Sequence, residues 1–208
     1  MQHIEEIASR IRSSFDARTA ARDQALAHAR ILTRHCAHAI RAIHRNEQEA
    51  AQEKLREAEK IVKSIQENLA DYPDLYFAGY TQDALKEYAE ANIVISLLKS
   101  GNLPDPEALG LEYATYLKGL AEVSGELRRR CLDALRQGEP EIAEKNLGYM
   151  DEIYAILITM DYPDAVTGGL RRLTDIVRGI TERTRGDITI SIRQEQLEKS
   201  LKRIEEKL

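Results

Sequence analysis

The chain has 208 residues, of which 31% are charged and 5% aromatic, with no Trp, a composition of long helices rather than sheets. Its formal charge of −5 excludes a uniformly basic nucleic-acid binder, though not a locally basic surface. Two cysteines, Cys36 and Cys131, are too few and too far apart for a disulfide framework or a zinc site, and no run reaches the roughly 18 apolar residues of a membrane span.

From Gln2 to Arg45 there is neither Pro nor Gly, and apolar residues recur at helical spacing through Ile4, Ile7, Ile11, Phe15, Ala25, Leu32, Ala39 and Ile43. Asn46 with Glu49 three residues on reads as an N-cap. A second helix is expected from there through Leu55, Ala58, Ile61 and Ile65 to the break at Asp71-Tyr72-Pro73. A third is expected from about Thr81 to Lys99, before the loop that holds Gly101, Pro104 and Pro106. A fourth covers Glu112 to Arg136, and Pro140 opens a fifth that runs to Tyr162. Pro163 opens a sixth, lasting to Thr184, and Arg185-Gly186-Asp187 separates it from a closing helix through Leu201 and Ile204. The expectation is an all-α fold of seven helices in one domain, residues 1–208. Thr189-Ile190-Ser191-Ile192 has strand character but nothing to pair with.

The first helix would span roughly 60 Å, longer than a monomer of this size needs. Its apolar stripe should therefore pack against neighbouring chains, which favours a homo-oligomer. Glu5, Glu6 and Arg10 do not read as a secretory leader. A reducing, cytoplasmic compartment is expected.

Charge is unevenly placed. The first helix holds Arg10, Arg12, Arg18, Arg22, Arg30, Arg34, Arg41 and Arg45 with every His of the chain, against only Glu5, Glu6, Asp16 and Asp23. Such arginines can contact phosphates; a solvated helix face with internal ion pairs is the plainer account. His35 and His38 have a possible metal spacing, but no third ligand lies near in sequence, so structural or surface roles are expected. Arg128-Arg129-Arg130 lies mid-helix, where complementing a helix dipole does not explain it.

Two carboxylate pairs follow. Glu87 and Glu90 are three apart on the third helix, on a stripe that continues into Val94 and Leu97. Glu122 and Glu126 are four apart on the fourth, beside Gly119 and Gly125, each of which costs a helix interior about 1 kcal/mol relative to Ala. Close approach of backbone or ligand would offset that cost. If the two helices lie side by side, four carboxylates converge and need a cation. Oxygen-only ligands suit Mg²⁺ or Mn²⁺ better than zinc or iron, and a bound Mg²⁺ can activate water against a phosphodiester. Arg129, three residues after Glu126, could hold the phosphate. Such pairs are also ordinary on solvated helices.

At these residues the chain resembles the translin family, in particular its catalytic branch, translin-associated factor X. Leu85-Lys86-Glu87-Tyr88-Ala89-Glu90-Ala91 is similar to that branch's L-Q-E-Y-V-E-A, and Tyr116 to Leu127 (Tyr-Leu-Lys-Gly-Leu-Ala-Glu-Val-Ser-Gly-Glu-Leu) to its Y-L-x-G-V-A-D-L-T-G-E-L. The resemblance implies a seven-helix bundle with long N-terminal helices, assembled as a hollow octameric barrel in which single-stranded RNA is cut with Mg²⁺. Carried over by match, Glu87, Glu90, Glu122 and Glu126 would be the acidic cluster. Glu122 departs from the family's Asp, which moves a metal by about one bond length. The basic, His-containing run of plain translin is here Tyr76-Phe77-Ala78-Gly79-Tyr80, so RNA contacts would fall to Arg30, Arg34, Arg45 or Arg129. The reading to test is an Mg²⁺-dependent endoribonuclease. Its rivals are a non-catalytic single-stranded RNA- or DNA-binding protein and a purely structural helical scaffold.

Overall fold

The computed structural model describes residues 2–206, and among them every regular element is a helix. In chain order these are α1 (Gln2–His44), α2 (Gln48–Asn68), α3 (Pro73–Tyr76), α4 (Gly79–Ser100), α5 (Pro106–Leu109), α6 (Tyr113–Arg136), α7 (Pro140–Leu157), α8 (Asp164–Thr167) and α9 (Leu170–Glu205). The all-α expectation holds. The count differs: six long helices and three single turns stand where seven helices were expected.

The chain divides into two compact units between Thr115 and Tyr116. In the first, α1 packs against both α2 and α4. Leu32, Cys36 and Ala39 of α1, Leu55, Ala58 and Val62 of α2, and Leu85, Ala89 and Ile93 of α4 are all buried. Each large aliphatic side chain there contributes about 1.5–3 kcal/mol by leaving water. Asn46 does not cap α2 as its spacing suggested. Its φ is +61°, and it ends α1: its N–H reaches the carbonyl of Ile43 at 3.0 Å while Glu47 N–H reaches Ala42 at 3.0 Å. That is the double closure in which Asn substitutes for Gly after a helix. The α3 turn, missed in sequence, is tied to the start of α4. The Thr81 hydroxyl donates to the carbonyl of Leu75 at 2.9 Å and the Gln82 amide to that of Tyr76 at 2.8 Å. Arg18 reaches down α1 to Asp74 on the same turn.

In the second unit α7 lies on α9. The α6–α7 link is tight: Gly138 takes φ +76°, with Gly138 N–H on Leu135 and Glu139 N–H on Ala134 closing α6. The Cys131 thiol donates to the carbonyl of Ala143 at 3.3 Å across this hairpin. The expected sixth and seventh helices are instead one, α9, and Gly186 lies in its interior. The real break is earlier, at Gly168 and Gly169, whose φ values are +59° and +87°. Gly186 stays helical because its flanks are held: Thr184 and Ile188 are buried, Arg128 of α6 pairs with Asp187 at 2.8 Å, and Arg185 pairs with Asp151 of α7 at 2.6 Å. The run Thr189–Ile192 that carried strand character is helical as well.

Two apolar faces are uncovered by their own units. On α1, Ile4, Ile11 and Phe15 are exposed; on α9, Ile190, Leu197, Leu201 and Ile204 are. No helix is long and apolar enough to cross a membrane among the described residues.

Candidate functional site

Glu87 and Glu90 sit one turn apart on α4, a helix with buried residues along most of its length, including Leu85, Tyr88, Ala89, Ala91, Val94 and Leu97. Glu90 is only 8% exposed. Glu87 is half-buried, with Lys86 Nζ 3.7 Å from its carboxylate. Oxygens of the two glutamates come within 4.8 Å of one another. Facing them on α1 is Cys36, whose thiol is held well above its usual range by burial first, then by the negative charges of Glu87 and Glu90. Tyr88 is pushed up to about 12, by burial and then by Glu59, so its phenol stays protonated at neutral pH. The wall beside the carboxylates therefore offers neither a thiolate nor a phenolate. The chemistry of the pair is that of oxygen ligands alone.

Glu122 and Glu126 share a face of α6 in the second unit, both half-buried, among buried Ala121, Val123, Ser124 and Leu127. Arg129 lies 3.6 Å from Glu126, one turn further on. A Cβ added at Gly125 would meet nothing within 4 Å. Of the two expected compensations for that glycine, close backbone and close ligand, the first is not met among the described residues.

The basic candidates separate into two kinds. Arg129 is beside the α6 carboxylates, whereas Arg30 and Arg34 are exposed on α1 and Arg45 is exposed just past its end. At 100° per residue Arg30 and Arg34 fall on one side of that helix, about a third to half a turn from buried Cys36 and hence from the side that meets Glu87 and Glu90. Sequence reasoning passed over Arg41 and His38, which share this outer face. The signal was their spacing of eleven and eight residues from Arg30, which repeats the helical period. His35 is explained by structure: its Nδ1 is 3.0 Å from Glu57 of α2, which also pairs with Lys54 at 2.6 Å. His35 and His38 belong to no group of potential metal ligands among the described residues.

Arg128 of the triple-arginine run is likewise structural. It holds α9 through Asp187 and donates to the Thr184 hydroxyl at 3.0 Å.

Known proteins give the same fold. The chain is similar to apo-NeC3PO, with a TM-score of 0.82 and 22% identity over 88% of this chain and 96% of that one. It is also similar to the protein in the AfC3PO–duplex RNA complex, with a TM-score of 0.80 and 30% identity over 92% of this chain and 97% of that one. An uncharacterized protein of Methanocaldococcus jannaschii is 34% identical over 186 residues, 88% of this chain and 82% of its relative. The Translin family model matches residues 20–208, a span that includes both glutamate pairs and every helix from the second half of α1 onward, and the chain belongs to that family.

Proposed function

We propose that this protein is a metal-dependent endoribonuclease of the translin-associated factor X type, cutting single-stranded RNA within a homo-octameric hollow barrel in the cytoplasm. The observation that carries the reading is Glu90: a carboxylate 8% exposed, one turn from a second whose oxygen lies within 4.8 Å, on a helix whose neighbouring positions Ala89, Ala91, Ile93 and Val94 are buried. Placing two anions so close and so deep costs several kcal/mol unless positive charge balances them.

The donor set fits a hard divalent cation. Glu87 and Glu90 from α4, with Glu122 and Glu126 from α6, offer carboxylate oxygens only, the chemistry of Mg²⁺ or Mn²⁺. Such a cation, when bound, supplies water activation and charge neutralisation for phosphodiester hydrolysis. The remaining work falls to the chain's own groups. Arg129, loosely paired with Glu126 at 3.6 Å and about half exposed, can exchange that partner for a substrate phosphate. Glu122, longer by one methylene than the Asp of the family motif, sets the reach of its carboxylate. Arg30, Arg34 and Arg45 hold RNA away from the acid pair.

RNA as the partner is supported by the AfC3PO relative, a structure of which contains duplex RNA. Assembly is supported by the uncovered apolar faces of α1 and α9.

The test is cleavage of labelled single-stranded RNA with Mg²⁺ and with chelator, in the wild type and in a Glu122→Gln/Glu126→Gln variant. Cleavage should need Mg²⁺ and vanish in the variant while folding and RNA binding persist. Binding without cutting under every condition would leave a non-catalytic RNA-binding protein; cutting by the variant at the wild-type rate would remove the four-glutamate assignment.

A further inference from the structure

Between Asp23 and Glu47 the chain contains no acidic residue. The outer face of α1 over this stretch presents Arg30, Arg34, His38 and Arg41, and Arg45 follows its last turn; all five are exposed. Among the described residues none of the four arginines has a carboxylate partner; Arg41 only donates its Nε to the carbonyl of Ala37, at 3.3 Å. Other arginines of the chain do find acids: Arg18 with Asp74, Arg22 with Asp23, Arg128 with Asp187, Arg185 with Asp151. His38 registers the resulting field. Its pKa lies below the usual value, through desolvation first and then through the positive charges of Arg41, Lys54, His35 and Arg34.

We infer that this outer face of α1 is a phosphate track for a single nucleic-acid strand, separate from the carboxylates that face the other side of the same helix. The inference deepens the proposed function, resting on RNA as the partner but not on cleavage. From Arg30 to Arg41 the row runs roughly 16 Å at 1.5 Å per residue along one helix, and Arg45 lies just past its end. A flexible single strand can lay consecutive phosphates along a straight row. The strands of a duplex rise about 3.4 Å per phosphate while winding round their axis, so they leave such a row after a few contacts. Four guanidiniums without acid partners match about four phosphates, each arginine forking onto one. Held through its phosphates, the strand is bound without regard to sequence, and the position of the cut is left to the carboxylate site.

The experiment measures binding of a short fluorescent oligouridylate, and of a matching duplex, to the full-length protein in chelator at stepped salt. Replacing Arg30, Arg34, Arg41 and Arg45 together by Ala should make the slope of log affinity against log salt shallower by about 3, from 0.7 per lost single-strand contact. The fourfold Arg→Lys variant keeps the charges and should keep most of the slope. An unchanged slope in the alanine variant, or equal losses in the alanine and lysine variants, overturns the track. Tighter binding of duplex than of strand, lost in the same alanine variant, overturns the single-strand assignment. A Glu87→Gln/Glu122→Gln protein separates this from the nuclease reading: it should keep the full salt slope while losing Mg²⁺-dependent cutting. If it cuts normally, the nuclease site is wrong while the track stands; if the track fails while it still loses cutting, the reverse holds.

Discussion

Arg30 and Arg34 of α1 and Arg128 and Arg185 of the second unit carry the same charge in opposite settings. Arg128 is about 29% exposed and fastens α6 to α9 through Asp187 and Thr184, and Arg185 fastens α7 to α9 through Asp151. Arg30 and Arg34 on the outer face of α1, and Arg45 just past its end, stand in water with no carboxylate partner among the described residues. An arginine that has been desolvated and paired contributes to folding, because removing it leaves its partner short of a cation. One that keeps its hydration contributes little to folding and keeps its charge for a ligand. Density of arginine along a sequence cannot distinguish the two; the presence of an acid across the helix interface does.

The largest effect on stability should come from Arg128→Ala. It removes an ion pair at 2.8 Å and a hydrogen bond at 3.0 Å, both to α9, in a half-buried setting. A charge-assisted bond of this kind is worth about 1.5–3 kcal/mol, and the partial exposure of Asp187 places the expected loss near the lower end, about 2 kcal/mol. Chemical denaturation would read this as a lower midpoint at unchanged slope. A loss under 0.5 kcal/mol would erase the contrast between the two regions. RNA affinity in the folded variant should be unaltered.

A smaller change, of opposite sign, is expected at Gly125. The position is exposed, helical and open, with nothing within 4 Å of an added Cβ. Gly125→Ala should therefore stabilise the protein by about 1 kcal/mol, seen as a higher midpoint. If the variant is instead less stable, or loses RNA cleavage at full stability, a ligand or a second chain approaches this surface, and the glycine is retained for that approach.

Much of the fold was legible because periodicity and punctuation agreed. In α4 and α6 the apolar spacing, the loop around Pro104 and Pro106, and the turn at Gly138 fix the elements to within a residue or two. The misreadings have two physical origins: at Asn46 the local closure of the preceding helix outweighed the start of the next, and at Gly186 tertiary partners overrode local preference. Asn46 took φ +61° to close the preceding helix, and Gly186 was carried through because Asp187 and Arg185 are anchored to neighbouring helices. At the site, the shared faces of Glu87 with Glu90 and of Glu122 with Glu126 follow from spacing of three and four. The depth of Glu90 does not. It depends on α1 and α2 packing over α4, which no local pattern in α4 encodes.

The smallest expected effect is the one that isolates the outer face of α1 most cleanly. Arg34→Ala removes one exposed guanidinium that has no carboxylate partner among the described residues, so stability should stay within about 0.5 kcal/mol of the wild type. A modest gain is the expected sign: the pKa of His38 is lowered by desolvation first and then by Arg41, Lys54, His35 and Arg34, so Arg34 adds a small repulsion to its protonated form. That gain should grow as pH falls: the depressed folded-state pKa of His38 makes its protonation oppose folding below its unfolded value, and removing Arg34 relieves part of that opposition. The difference in denaturation midpoint between variant and wild type, followed from pH 8 to pH 5 at low salt, checks the argument. A difference that shrinks toward acid would mean that the positive charges along this face are not crowding one another, and the case for a face kept cationic for a polyanion would lose its electrostatic basis.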